Sequence, residues 1–300
     1  MNHILQICLL DNHELSFELN SSTNFSSPFI NLQSNKKITF ITKETNIPGL
    51  FQLDGKVAII TGATRGIGEK IARSLAEFGA EVIINSRNKE AVSAVSKIFR
   101  NDGLHAVGIA GNMGNTKEIH ALIDQTLDLC GSIDIIINNA AANPVFGPLQ
   151  ETEERAFDKI MNVNLKGPFE LCKAAYPTLK KQRGGSIINI SSISGIAPEP
   201  GIGIYSVSKA ALINLTKAMA QDWGPDNIRV NAICPGLIKT NFSEALWGNK
   251  PILNRFLKDI PLKRIGIPKD IAGLAVYLAS DASTYSTGGV YIIDGGYTTT

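Results

Sequence analysis

The sequence predicts an α/β fold, with about seven parallel strands in one doubly wound sheet and helices on both faces. Three observations carry this expectation. Short apolar runs rich in Val and Ile recur along the chain, continuous rather than alternating, as strands buried on both faces should be. Between them lie segments whose apolar residues repeat at helical spacing. A glycine-rich stretch, TGATRGIG at 61–68, separates the first run from the first helical segment.

The elements follow in strict order. KVAIIT (56–61) reads as the first strand, and Ile67, Ile71, Leu75 and Phe78 mark a helix that Gly79 closes. EVIIN (81–85) is the second strand, followed by a helix marked by Val92, Val95, Ile98 and Phe99 and stopped near Gly103. HAVGIA (105–110) is the third, followed by a helix through Ile119, Leu122, Ile123, Leu127 and Cys130. IDIIIN (133–138) is the fourth, with helical segments at 153–164 and 166–182 after it. SIINI (186–190), a helix from Tyr205 to Trp223 and IRVNAI (228–233) come next. An irregular stretch then reaches Pro268, before a helix at 269–279 and a last strand, VYIID (290–294). No internal repeat interrupts the order, so 53–300 reads as one domain.

The composition excludes several function classes. A hydrophobic fraction of 44% in 300 residues provides for a sizeable core. Net charge is +2 and no long basic run occurs, which argues against a nucleic-acid surface. The four histidines lack metal-ligand spacing, and no metal site is expected. Cys8, Cys130, Cys172 and Cys234 include no Cys-x-x-Cys pair and read as free thiols in a reducing compartment. No apolar run is long enough to span a bilayer. Residues 1–52 are rich in Asn and Ser with poor periodicity, as in a flexible extension or in sequence upstream of the true start. The first 50 residues contain no Arg but hold Asp11, Glu14, Glu18 and Glu44, unlike a transit peptide, and a cytoplasmic location is expected.

The glycine loop has the placement of a dinucleotide site, which makes the expected sheet Rossmann-type. Gly62, Gly66 and Gly68 let the backbone turn sharply and approach a pyrophosphate, and the helix beginning near Ile67 offers free N–H groups to it. GIAGNMG (108–114) also has three glycines, but at the wrong spacing and with no helix starting at once. The second strand ends Asn85-Ser86-Arg87, without the carboxylate that would hold a free ribose 2′-OH. Arg87, joined by Arg65 from the loop, suits a 2′-phosphate, so NADP(H) is expected over NAD.

Tyr205 and Lys209 are four residues apart on one expected helix and so share a face. Reducing a carbonyl needs a hydride on carbon and a proton on oxygen, and a phenol is a weak acid at its ordinary pKa of about 10. A neighbouring ammonium should pull that pKa down. Ser192, thirteen residues earlier at the end of a strand, can hydrogen-bond the substrate oxygen. Tyr176 and Lys180 repeat the same spacing, but Val163 stands where a serine would be needed and Pro177 follows at once; this second pair reads as structural.

In this order over nearly all of 53–300, TGATRGIG, Asn112, NNAA (138–141), Asn164, Ser192, Tyr205-Ser-Val-Ser-Lys209 and PGLIKT (235–240) resemble the short-chain dehydrogenases/reductases. AANPVFGPL (141–149) and PGLIKTNFSEALW (235–247) look like the NADP-dependent carbonyl reductase/retinol dehydrogenase branch. PLKRIGIPKDIA (261–272) is similar to 3-oxoacyl-carrier-protein reductases. The resemblance implies Asn164, Ser192, Tyr205 and Lys209 as catalytic residues, Asn164 positioning a water that relays protons to Lys209, near a helix perturbed by Gly167-Pro168. It implies that Lys209 also binds the nicotinamide ribose and that Asn112 meets adenine. Thr64, Ile67, Met113, Asn139, Ala140, Pro235, Gly236, Ile238 and Thr240 would complete the cofactor site. A homotetramer or homodimer is implied as well.

The function expected is NADP(H)-dependent interconversion of a ketone or aldehyde with an alcohol. A nicotinamide-nucleotide sensor without turnover and a 3-oxoacyl thioester reductase remain the alternatives. NFSEALWGNKPILNRFLKDIPL (241–262) is expected to form a mobile lid, with Phe242, Leu246, Trp247 and Phe256 either lining an apolar pocket or packing on a partner.

Overall fold

The computed structural model describes residues 47–299; the expected extension over 1–52, apart from 47–52, and Cys8 lie outside the described residues. Seven strands form one sheet: β1 (Val57–Thr61), β2 (Glu81–Ser86), β3 (Ala106–Ala110), β4 (Ile135–Asn138), β5 (Gly185–Ile190), β6 (Ile228–Pro235) and β7 (Val290–Ile293). Their order is β3-β2-β1-β4-β5-β6-β7, and every pairing is parallel. The connection reverses direction between β1 and β4, which opens a crevice above the carboxyl ends of the central strands.

The helices are α1 (Gly66–Glu77), α2 (Lys89–Asn101), α3 (Thr116–Cys130), α4 (Glu154–Met161), α5 (Gly167–Lys181), α6 (Gly203–Trp223), α7 (Glu244–Trp247), α8 (Lys250–Asp259) and α9 (Pro268–Ala279). Successive strand side chains point to opposite faces, so each strand feeds two cores. Ala58 and Ile60 pack with Ile71 and Leu75 of α1 and with Ile271 and Ala275 of α9. Val57 and Ile59 pack with Ile119 and Leu122 of α3 and with Leu171 and Ala175 of α5. Each such buried Ile or Leu contributes about 1.5–3 kcal/mol of transfer free energy. The continuous apolar runs of the sequence therefore have their cause in a sheet covered on both sides.

One segment shows the perturbation expected near Gly167-Pro168, and another departs from the expectations. The helix at 153–164 gives way to a π-helical turn at Asn162–Lys166, immediately before Gly167 and Pro168. Pro168 has no N–H to donate to the preceding turn, and the wider turn accommodates that loss. The stretch expected to be irregular up to Pro268 contains α7 and α8. Asn249 starts α8, its Oδ1 accepting from Ile252 N at 3.3 Å, with Pro251 in the first turn.

Candidate active site

A cavity of about 830 Å³ runs along the carboxyl ends of the strands. One end is the glycine loop. Gly62 lies at φ +65°, and a Cβ on Gly68 would collide with Asn139 Nδ2 and the Gly62 carbonyl oxygen. Asn139 explains that crowding, since its Nδ2 donates to Thr61 O (2.9 Å) and Gly62 O (3.1 Å). Thr61 Oγ1 accepts from Asn139 N and Ala140 N, both at 3.0 Å, and so joins the ends of β1 and β4. No side chain caps α1, whose first turn begins beside the cavity, so its amides are available to an anion.

Most of the sequence-derived cofactor residues come together here. Gly62, Thr64, Arg65, Gly66 and Ile67 line the cavity on one side, and Asn139 and Ala140 line its floor. Arg87, Asn112 and Met113 follow β2 and β3, while Pro235, Gly236, Ile238 and Thr240 follow β6. Gly68 does not line the cavity; it lies buried beneath the loop it permits. Arg65 and Arg87 are exposed and form no ion pair with any other described residue. Asn112 Oδ1 accepts from Gly114 N at 3.0 Å, folding the turn after β3. These features fit a phosphorylated dinucleotide: a cradle with no room for a side chain, uncapped amides and two unpaired guanidiniums.

Ser192, Tyr205 and Lys209 line the other part of the same cavity. Ser192 follows β5, and Tyr205 and Lys209 occupy the first turns of α6. Lys209 is 2% exposed; its Nζ donates to Ile190 O at 2.7 Å and stands 5.6 Å from the centre of the Tyr205 ring. Ser191 Oγ donates to Lys209 O at 2.8 Å, fastening α6 to the end of β5.

The expected fall in the Tyr205 pKa is not found. Burial pushes Tyr205 up to about 12, the Ser192 hydroxyl beside it acting in the opposite sense. Burial also brings Lys209 down to about 8. The reason is geometric: the ammonium is committed to a backbone carbonyl and faces the ring rather than bonding the phenol oxygen.

Asn164 is fully buried in the π-helical turn and does not line the cavity. Its Oδ1 accepts from Ala142 N at 2.7 Å, and its Nδ2 donates to Ala142 O and Ser208 Oγ, both at 3.0 Å. Ser208 Oγ in turn donates to Tyr205 O at 2.7 Å. The side chain thus clamps the loop after β4 to the catalytic-candidate helix. Tyr176 and Lys180 lie away from the cavity: Tyr176 OH donates to Asp226 at 2.5 Å, and Lys180 pairs with the same carboxylate at 3.2 Å.

Phe242, Leu246 and Phe256 line the cavity above Tyr205, with the Phe242 and Tyr205 ring centres 6.1 Å apart. Trp247 does not line it; its Nε1 donates to Thr240 O at 2.8 Å, and Lys239 Nζ sits 5.2 Å from its ring centre. Sequence reasoning missed Glu199, Arg255 and Tyr297, which also line the cavity. They lie far apart along the chain, and no local motif marks them. Cys172 and Cys234 are buried, and they and Cys130 are free thiols. Among the described residues no helix is long and apolar enough to cross a membrane, and no metal-ligand cluster occurs.

The chain is similar to several known proteins. The family model described as "Enoyl-(Acyl carrier protein) reductase" matches residues 62–298. "Dehydrogenase/reductase SDR family member 4" of Caenorhabditis elegans is 44% identical over 249 residues, covering 82% of this chain and 96% of that protein. The human protein of the same name is 39% identical, covering 81% of this chain and 88% of that one. A gluconate 5-dehydrogenase from Burkholderia cenocepacia, solved in complex with NADP and tartrate, superposes with a TM-score of 0.81 at 35% identity. It covers 84% of this chain and 98% of that one. A 7α-hydroxysteroid dehydrogenase complexed with NADH and 7-oxo glycochenodeoxycholic acid gives a TM-score of 0.79 at 33% identity, covering 82% and 96%.

Proposed function

The chain belongs to the short-chain dehydrogenase/reductase family, and on that premise we propose that it is an NADP(H)-dependent oxidoreductase interconverting a ketone or aldehyde with an alcohol. The observation that carries the reading is the continuity of one cavity from two unpaired guanidiniums and a glycine cradle to Tyr205, Lys209 and Ser192. Residues 53–300 form the catalytic domain in this reading.

The bound nicotinamide supplies or accepts the hydride. The chain's own residues do the rest. Arg65 and Arg87 would hold the 2′-phosphate, and the α1 amides would hold the pyrophosphate. One similar structure was solved with NADP and another with NADH, so the argument for NADP(H) rests on these two side chains. The Ser192 hydroxyl donates to the substrate oxygen and fixes the carbonyl against the phenol. Tyr205 donates the proton to that oxygen in reduction and takes it back in oxidation. Burial holds the phenol in its protonated form near neutrality, the form that can give a proton. Lys209 retains its charge at pH 7, offsets the phenolate that forms and bonds the nicotinamide ribose. Asn164 acts as a positioning residue: by holding Ala142 and Ser208 it sets the distance between the loop after β4 and the Tyr205 turn.

The protein is further proposed to be a homodimer or homotetramer. β7 is the edge of the sheet, and Ile292 on it is 45% exposed, an edge that a second copy would cover.

The test is NADPH oxidation with a panel of ketones, aldehydes and a 3-oxoacyl thioester. Turnover of simple ketones or aldehydes supports the reading. Turnover of the thioester alone moves the protein to the alternative reductase class, and cofactor binding with no turnover on any member identifies a sensor.

A further inference from the structure

We propose that Tyr297 is a specificity-determining residue, the end-stop that sets how long a carbonyl substrate the cavity accepts. The proposal rests on the carbonyl-reductase reading above and names a determinant of its substrate class.

Two separate segments meet on this side chain. Its hydroxyl donates to Glu199 Oε1 at 3.0 Å, a residue of the loop between Ser192 and α6. Its ring lies against Phe256 of α8, centres 5.3 Å apart and planes inclined at 35°. Tyr297, Glu199 and Phe256 all line the cavity that also holds Ser192 and Tyr205. One ring therefore joins the loop that carries Glu199 to α8 at the lining of the cavity that holds Ser192 and Tyr205.

The turn that carries Tyr297 is built to hold it there. The Asp294 carboxylate accepts from Gly296 N at 2.8 Å and from Thr298 N and Oγ1, each at 2.7 Å. Gly295 O accepts from Leu262 N at 3.1 Å, which fastens the turn to the segment after α8. A side chain spread over the surface for solubility would need none of this. Phe242, Leu246 and Ile252 line the same cavity beside the charged Glu199 and Arg255, and with Glu199 engaged by the Tyr297 hydroxyl, the ring face left to a substrate arm is apolar and suits a hydrocarbon chain. Chains that end short of the Tyr297 ring fit, and longer ones must displace both the hydrogen bond and the ring contact.

The experiment compares the wild type with Tyr297→Ala and Tyr297→Phe on a homologous series of linear methyl ketones with NADPH. The readout is the ratio of kcat/KM for long to short members. The same chain lengths as alkyl amides, which carry no reducible ketone, are titrated calorimetrically to read the cut-off without turnover. NADPH affinity and the melting temperature establish that each variant is folded. Tyr297→Ala is expected to raise the long-to-short ratio by about tenfold or more and to move the amide cut-off to longer chains. Tyr297→Phe, which keeps the ring and loses the bond to Glu199, shifts both by less. An unmoved cut-off in folded Tyr297→Ala, or an equal shift in both variants, overturns the proposal. A shifted amide cut-off with no ketone turned over by the wild type leaves this inference standing and removes the carbonyl-reductase reading instead.

Discussion

Lys209 faces the ring of Tyr205 at 5.6 Å and donates a hydrogen bond to the Ile190 carbonyl at 2.7 Å, so the two side chains are neighbours without being hydrogen-bonded partners. The helical spacing that makes them neighbours does not by itself make the phenol acidic. Burial acts on both groups and favours their neutral forms, so the phenol is held protonated while the ammonium is easier to discharge.

Tyr205→Phe keeps the ring contact with Phe242 and removes only the hydroxyl. Turnover is expected to fall by about a hundredfold or more, in line with the loss of a general acid, while NADPH affinity stays within about threefold. Steady-state rates with fluorescence titration of NADPH check this, and wild-type turnover in the variant would refute the assignment.

Lys209 carries a pH signature in the cofactor-free protein. Its folded pKa is lowered from 10.5 to about 8, so between these values the unfolded state binds more protons. Stability from this group therefore rises as pH increases through that window, by an amount on the order of 3 kcal/mol at most. Below about pH 8 both states hold the proton and the cost of burying the charge is present in full. The urea midpoint of the wild type should gain on that of Lys209→Met between pH 8 and 10; parallel profiles would show that the burial does not perturb the lysine.

The decoy pair supplies a control. Lys180 is exposed and pairs with Asp226 at 3.2 Å, away from the cavity. Lys180→Ala should leave kcat/KM within about twofold and the urea midpoint close to that of the wild type, because exposed ion pairs contribute little. A large loss of turnover would mean that the wrong Tyr–Lys pair has been placed at the chemistry.

The sequence made the sheet legible because a strand buried on both faces must be continuously apolar, and the central runs of β1 and β4 have that property, whereas β7 at an edge stays partly exposed. The glycine loop and the Tyr205–Lys209 spacing were legible because their partners are local. The helices at 244–259 were harder to read: α7 is one turn long, and Asn249 with Pro251 marks α8 only weakly. Glu199 and Tyr297 are 98 residues apart, and nothing in either neighbourhood announces the other. Asn164 is an intermediate case. Its place in the motif was readable, but its clamp on Ala142 and Ser208 depends on the fold of three segments.

Thr61→Val tests the joint between the cofactor loop and β4. Valine matches the shape of threonine but cannot accept from Asn139 N and Ala140 N, which Thr61 Oγ1 now satisfies at 3.0 Å each. Ala140 N loses its partner while Asn139 N keeps Ile137 O at 3.1 Å, at a cost of about 1–3 kcal/mol. A lower urea midpoint with an unchanged denaturant slope is expected, together with weaker NADPH binding. An unchanged midpoint would show that the joint is not held by this hydroxyl.

In the proposed function, cofactor choice rests on the ends of β1 and β2. Arg65 and Arg87 line the cavity without an ion pair to any other described residue, and Asn85-Ser86 closes β2 where a carboxylate would otherwise hold a free 2′-OH. Charge-assisted bonds to a phosphate contribute roughly 1.5–3 kcal/mol each, so losing one should weaken NADPH about tenfold to a hundredfold. NADH lacks the group those bonds would reach. Arg87→Ala should therefore raise the KM for NADPH by that factor and leave the KM for NADH within about twofold. High salt should reproduce part of the loss in the wild type, since both guanidiniums are exposed to counterions. Ser86→Asp should shift preference further towards NADH by repelling the 2′-phosphate. Initial rates with both cofactors on the wild type and the two variants provide the comparison. Equal efficiency of NADH and NADPH in the wild type would mean that neither guanidinium reaches the phosphate.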